Sequence, residues 1–267
     1  MTKRQTQILQ VVQEQKKIEV TLLSEMLEVS QVTIRKDLDI LEEKGLLARE
    51  HGYAVLKERD DLGNRLALHY RKKLGIAKLA SDMIDNGEVI MMESGSTCAL
   101  LAEQLALYKK DVTIITNSVF IVSHIRENMM GKVILLGGEY QKESQVMVGP
   151  LVRKCAREFY VDKFFMGTDG LMPEIGFTCQ DMIRAETMKQ MAESAKQSII
   201  ITDSSKFEKR GVVLQARFEC IRKVFTDEDI SDIAKENLRE HHISLHTVLG
   251  SMTTECASPK KENTNLN

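Results

Sequence analysis

The chain has 267 residues, 43% of them hydrophobic and 28% charged, an ordinary globular composition with room for two domains. It contains no run of eighteen apolar residues, which excludes a membrane-spanning helix, and MTKRQTQILQVVQEQ lacks the apolar core of a secretory signal. The net charge of −2 gives no global attraction to nucleic acid, and residues 1–59 carry ten Lys and Arg against ten Asp and Glu, so any DNA contact needs basic groups gathered on one face.

Five scattered cysteines without a C-x-x-C pair point away from a disulfide framework or zinc ribbon, and towards a reducing, cytoplasmic setting. Ile8, Leu9, Val11 and Val12 give a helical stripe through about residue 16, and Ile18-Glu19-Val20 is β-prone. Thr21 is placed to cap a helix carrying Leu22, Leu23, Met26 and Leu27. Ser30 caps the next, from Gln31 to Lys44, whose inward stripe is Ile34, Leu38 and Leu41 and which Gly45 ends. Leu46 to Arg49 and Tyr53 to Leu56 form a hairpin about His51-Gly52, and the polar residues 57–72 read as a linker.

From about residue 73 apolar runs alternate with helical segments. The runs 88–93, 112–116, 132–137, 163–167, 198–202 and 223–226 are continuous rather than alternating, the pattern of strands covered on both faces of a mainly parallel sheet. Helices fall at 98–108, 119–128, 151–160 and 183–195, and the polar stretch from Thr253 reads as disordered. The expected organisation is a DNA-binding head over 1–58, a linker over 59–73, an α/β domain over 74–252 and a tail over 253–267.

Two strings carry the chemistry. In VSQVTIRKDLDILEEKGLLAREHG, the helix buries its apolar stripe and leaves Gln31, Thr33, Arg35 and Lys36 on its other surface or first turns. Gln and Arg can contact base edges bidentately, while Thr and Lys suit methyl or phosphate contacts. A solvated amphipathic hairpin would show the same periodicity. In the α/β part, Ser94-Gly95-Ser96-Thr97 stands between a strand and a helix, where hydroxyls, close backbone approach and a helix N-terminus suit phosphate, although a capping turn has the same composition. Asn117-Ser118, Asp169-Gly170 and Lys206 also follow strands, and ligands of parallel sheets bind at those ends. Asp169 is suited to sugar hydroxyls and Lys206 to phosphate charge. His241, His242 and His246 lack the Cys or carboxylate partners of a metal site, and no metal, cofactor or catalytic residue is expected.

The ordered series Val29, Ser30, Thr33, Ile34, Arg35, Lys36, Asp37, Leu38, Leu41, Glu42, Gly45, Leu47, Arg49, His51 and Gly52 resembles the signature of DeoR-type transcription regulators. The later series, with Gly137-Gly138, Gly149 and Asp227, resembles their C-terminal sensor, itself related to sugar-phosphate isomerases such as ribose-5-phosphate isomerase. The resemblance implies a winged helix-turn-helix with Ser30, Gln31, Thr33, Arg35, Lys36, Arg49 and His51 at the DNA. It further implies that Ser94 to Thr97 and Lys206 hold phosphate while Asn117, Ser118 and Asp169 meet the sugar. A non-enzymatic repressor of a carbohydrate operon follows, a homo-oligomer on an operator released or set by a phosphorylated sugar. The alternative is a sugar-phosphate isomerase with an accessory head. Two departures stand out, Tyr53 where the family often has a second glycine and Glu93 where it commonly has Asp.

Overall fold

Thr2 opens the first helix with a capping box, its hydroxyl accepting from the Gln5 amide while Gln5 reaches back to Thr2. The computed structural model describes residues 1–56 and 62–248. The head comprises α1 (Lys3–Gln15), β1 (Lys17–Glu19), α2 (Val20–Met26), α3 (Gln31–Glu43), β2 (Ala48–Glu50) and β3 (Tyr53–Val55). Ile8, Val12, Leu23, Ile34, Leu38 and Leu41 are wholly buried in its core. The strands form an antiparallel sheet in the order β1-β3-β2.

Two local expectations are corrected here. Thr21 caps nothing: α2 starts at Val20, and the Val20 amide instead donates to the Gly52 carbonyl at 2.9 Å. The sheet thereby satisfies a donor that a side chain would otherwise serve. The wing needs no second glycine, because its turn uses positive φ at His51 (42°) and Gly52 (88°), the pair a tight hairpin requires. Tyr53 is already strand, paired with Glu50 and Glu19, and Lys17 Nζ lies 4.7 Å from its ring centroid.

Residues 62–72, expected as linker, are folded. The helices α4 (Leu62–Ala67) and α5 (Tyr70–Ser81) bury Leu62, Leu66, Tyr70 and Ile76 in one continuous core with Leu9 and Val12 of α1. Gln13 of α1 also donates to the Ala67 carbonyl, so the head is docked on the second domain. The remainder of the expected linker, 57–61, and the expected tail lie outside the described residues.

The second domain is built on seven parallel strands: β4 (Val89–Met92), β5 (Thr113–Thr116), β6 (Lys132–Leu135), β9 (Val161–Met166), β12 (Ala195–Ile201), β14 (Ile221–Asp227) and β15 (Ser244–Val248). Their order is β15-β14-β12-β9-β4-β5-β6. The chain runs outward from β4 through β5 to β6, then returns to β9 on the other side of β4. That reversal places a crevice beyond the carboxyl ends of β4 and β9. The intervening elements are α6 (Ser96–Tyr108), α7 (Val119–Ile125), the hairpin β7 (Glu139–Gln141) and β8 (Val146–Val148), and α8 (Pro150–Ala156). A small antiparallel sheet, β10 (Gly170–Met172), β11 (Gly176–Cys179) and β13 (Val213–Arg217), stands over one end of the crevice, with α9 (Met182–Ala192) and α10 (Asp232–Glu240) outside the main sheet. His241 stacks on Phe218 and His246 on Phe225, so both rings serve packing. Among the described residues no helix is long and apolar enough to cross a membrane.

Candidate DNA-reading face and effector crevice

Ser30 begins α3, its hydroxyl accepting from the Thr33 amide at 3.2 Å and meeting the Thr33 hydroxyl at 2.9 Å. Its side chain is therefore committed to the cap. Val32, Arg35, Lys36 and Asp39 recur at helical spacing and are all exposed, forming the outward stripe. Gln31 is half-buried, linked to Thr21 and accepting from Arg35 at 3.4 Å. Val32, 61% exposed, went unnoticed in the sequence because an apolar residue there reads as core; on this stripe it suits a thymine methyl. Arg49 is ion-paired with Asp39, and its amide donates to Glu42 at 2.9 Å, which ties the base of the wing to α3. His51 is exposed at the wing tip. In the head, Asp37 is buried and holds α1 through Arg4 and Gln5.

A crevice opens at the carboxyl ends of β4, β9 and β12, where ligands of parallel sheets bind. Gly95, Ser96 and Thr97 line it at the start of α6, Asp169 after β9, and Lys206 after β12. Gly95 lies close to Gly167: a Cβ on Gly95 would stand 3.3 Å from the Gly167 Cα and 3.3 Å from Glu93 Oε2. The glycine thus lets the strand-to-helix turn press against the end of β9. The N-cap of α6 is Gly95, which has no side chain to cap the first amides of the helix.

Three expected contacts are not brought to the crevice. Ser94 is fully buried and donates to Glu93 Oε1 at 2.9 Å. Asn117 donates from Nδ2 to the Met147 carbonyl at 2.9 Å, and its own carbonyl accepts from Met147 at 2.7 Å. Ser118 caps α7 by accepting from Ile121 at 3.1 Å. Asn117 and Ser118 fasten the β7-β8 hairpin to the end of β5 and do not line the crevice.

Residues that sequence reasoning passed over complete the lining. Arg65 of α4, His69 at the turn before α5 and Lys73 of α5 come from the stretch read as linker, Arg184 from α9, and Lys209 from the loop after β12. Leu62, Leu66 and Tyr70 recur at intervals of four, which was the available signal for a helix there. Lys73 is only 3% exposed; its Nζ donates to the Arg65 carbonyl and lies 3.7 Å from Asp203. Burial drives its ammonium down to about 8, the charges of Lys206 and Arg65 act in the same direction, and Asp203 opposes them. Glu93 accepts from Arg184 at 3.3 Å and from the Gly167 amide at 3.3 Å, a buried ion pair in the lining. Burial raises the Asp169 carboxyl, but Arg184 and the Gln180 amide outweigh it and keep it ionised. Asp227 accepts from the Ser204 amide at 2.7 Å and hydroxyl at 2.8 Å, positioning the turn that carries Lys206.

A helix-turn-helix head docked on a doubly wound domain with a charged crevice defines a ligand-responsive transcription regulator. Residues 4–60 match the DeoR-like helix-turn-helix domain and residues 68–228 the DeoR C terminal sensor domain. The chain belongs to the DeoR family. It is 29% identical over 248 residues to the transcriptional repressor AccR of Agrobacterium fabrum, covering 90% of this chain and 96% of that one. It is 29% identical over 249 residues to the L-fucose operon activator of Haemophilus influenzae, covering 91% and 98%. The solved ribose 5-phosphate isomerase from Plasmodium falciparum aligns over 52% of each chain at 19% identity, with a TM-score of 0.37. That likeness is too slight to favour the isomerase alternative over two matches to regulator domains.

Proposed function

We propose that this regulator represses a carbohydrate-metabolism operon and that a phosphorylated sugar, held in the crevice, controls its affinity for DNA. One observation carries the phosphate assignment. Five Lys and Arg side chains line the crevice against three carboxylates, an excess of two positive charges. A phosphate dianion matches that excess and accepts from the uncapped amides at the start of α6. Gly95, Ser96, Thr97 and Lys206 are assigned to the phosphate, with Lys73 beside them, and Asp169 to a sugar hydroxyl. Gln31, Thr33, Arg35 and Lys36 are assigned to the major groove, with Arg49 and His51 of the wing at the backbone and Ser30 supporting them as the cap. The protein works in the cytoplasm as a homo-oligomer, a dimer or tetramer, because such heads read repeated half-sites in pairs.

Calorimetry with one sugar, its phosphate ester and inorganic phosphate tests the site. The ester binds, the free sugar binds far more weakly, and Lys206→Ala loses the ester while keeping DNA binding. Equal affinity for sugar and ester in the unmodified protein would overturn the assignment. For the head, Arg35→Ala weakens binding to a duplex selected from a random pool by about 1–3 kcal/mol, with ligand binding unchanged. The change in DNA affinity on adding the ester gives the sign of control.

A further inference from the structure

The crevice is lined by Lys206, Lys209 and Lys73 and also by Glu93, Arg184 and Gln215. Gln215, on β13, is only 1% exposed. Its amide nitrogen is fully engaged, donating to the Gly167 carbonyl at 2.7 Å and lying 3.3 Å from Met166 Sδ. Those two acceptors fix which way the amide faces, since reversing it would set oxygen against oxygen. Its Oε1 is then left buried without a partner among the described residues. Arg184 shows the complementary case. Its Nη2 donates to Glu93, whereas its buried Nε has no partner among the described residues.

A buried polar atom left unmade is costly, and in native proteins such atoms are scarce enough to call for a reason. Here an acceptor (Gln215 Oε1, on β13) and a donor (Arg184 Nε, on α9) belong to side chains that both line the crevice, and neither residue is among those assigned to direct phosphate contact. Neither an anion nor an apolar group satisfies both. A hydroxyl does, because it donates and accepts. A carboxylate in the ligand would offer nothing to Gln215 and would face Glu93.

We propose that Gln215 and Arg184 are specificity-determining residues that read hydroxyl groups of the effector, so that the sensor selects polyhydroxylated phosphate esters with no charged group besides the phosphate over phosphorylated sugar acids and over phosphate itself. This rests on the phosphate reading above and adds which part of the ligand confers selectivity. Gln215 supplies the acceptor, and its bond to Gly167 holds that acceptor in place beside the turn after β9. Arg184 supplies the donor while its pairing with Glu93 keeps its own charge satisfied, so it does not attract a second anion.

The test compares inorganic phosphate with the tightest binder from a panel of pentose and hexose phosphates, glucose 6-phosphate and 6-phosphogluconate included, by calorimetry on the full chain. The expected result is that Gln215→Met weakens the sugar phosphate by roughly tenfold, the loss of one buried hydrogen bond, and leaves inorganic phosphate unchanged. Gln215→Asn, which keeps the amide but withdraws it by one methylene, gives the same split if the Met variant does not fold. Equal effects on both ligands, or no effect on either, would overturn the inference and leave the phosphate site standing. So would tighter binding of 6-phosphogluconate than of glucose 6-phosphate, or a panel in which no ester exceeds inorganic phosphate. Absence of binding by phosphate and every ester would remove the underlying reading instead, and the inference with it.

Discussion

The imidazole Nδ1 of His69 lies 2.9 Å from Asp203 Oδ1, joining the start of α5 to the end of β12 across 134 residues of sequence. Asp203 is 2% exposed and also faces Lys73. Burial drives its carboxyl up, and the His69 hydrogen bond with the Lys73 charge overrides that and holds it well below the usual carboxylate range. The stability this contributes is present above the unfolded carboxylate value, near pH 4, and is lost as pH falls through the lower folded value. Asp203→Ala should cost about 3 kcal/mol at pH 7 in urea unfolding, because Lys73 is left buried without its counter-charge. The cost should shrink at pH 9.5, where Lys73 in the folded protein has shed its proton. A cost independent of pH would show that the pair is incidental.

Lys73 should also set the pH profile of anion binding. With its ammonium held near 8, a bound phosphate draws the proton back on. Affinity for inorganic phosphate should therefore fall by roughly tenfold between pH 7.5 and 9.5, since the lysine is charged below that window and neutral above it. Binding should take up a proton there, visible as a buffer-dependent enthalpy. Lys73→Met should flatten the falling limb. A profile that persists in the variant would assign the titration to another group.

Asp39 pairs with Arg49 in the free protein and so competes with the DNA phosphate for the wing's cation. Asp39→Asn should release it and tighten binding to random-sequence duplex. The slope of log affinity against log salt should steepen by about 0.9, one further phosphate neutralised. Anisotropy at several salt concentrations measures both, and an unchanged slope would mean that Arg49 never reaches the backbone.

Gly170 probes the frame of the crevice. A Cβ there would stand 2.4 Å from the Lys209 carbonyl, which already accepts from the Leu171 amide at 2.8 Å. Gly170→Ala should displace the segment carrying Lys209, cost about 1–3 kcal/mol in stability and weaken phosphate binding. Gly137→Ala, whose nearest contact would be Cys155 Sγ at 4.0 Å, should do neither.

Periodicity in the sequence located the inner parallel strands because they are buried on both faces and read as unbroken apolar runs, as at Ile199 to Ile201, whereas the edge strand β15 is partly exposed and forms no such run. It located α3 because Ile34, Leu38 and Leu41 share one face. The crevice was half legible. Gly95, Ser96, Thr97, Asp169 and Lys206 stand at strand ends, where residue type alone is informative. Arg65, His69 and Lys73 were concealed by charge: their stretch is rich in Lys, Arg and His, and polarity outweighed the spacing of Leu62, Leu66 and Tyr70. Gln215 had no signal at all, since nothing local distinguishes a buried glutamine from a solvated one. Asn117 and Ser118 show the converse. They have the composition of a ligand loop, yet the hairpin that claims them is specified by residues thirty positions away.

Leu68 and His69 line the crevice, and they also line a second, open groove against Leu9, Gln10 and Gln13 of α1. One short stretch is thus a wall to both compartments, and this limits how the two domains can be traded between proteins. A hybrid that gives this sensor a foreign DNA-binding head must take its junction before Leu62; joined at residue 74, it would keep the sheet but lose Arg65, His69 and Lys73 from the pocket. The incoming head must also present to Leu66, Ala67 and Tyr70 a first helix shaped like the one removed. Interchangeability of heads within the family is then a matter of matching that helix face, and a head that binds its own operator well can still be deaf to the sensor.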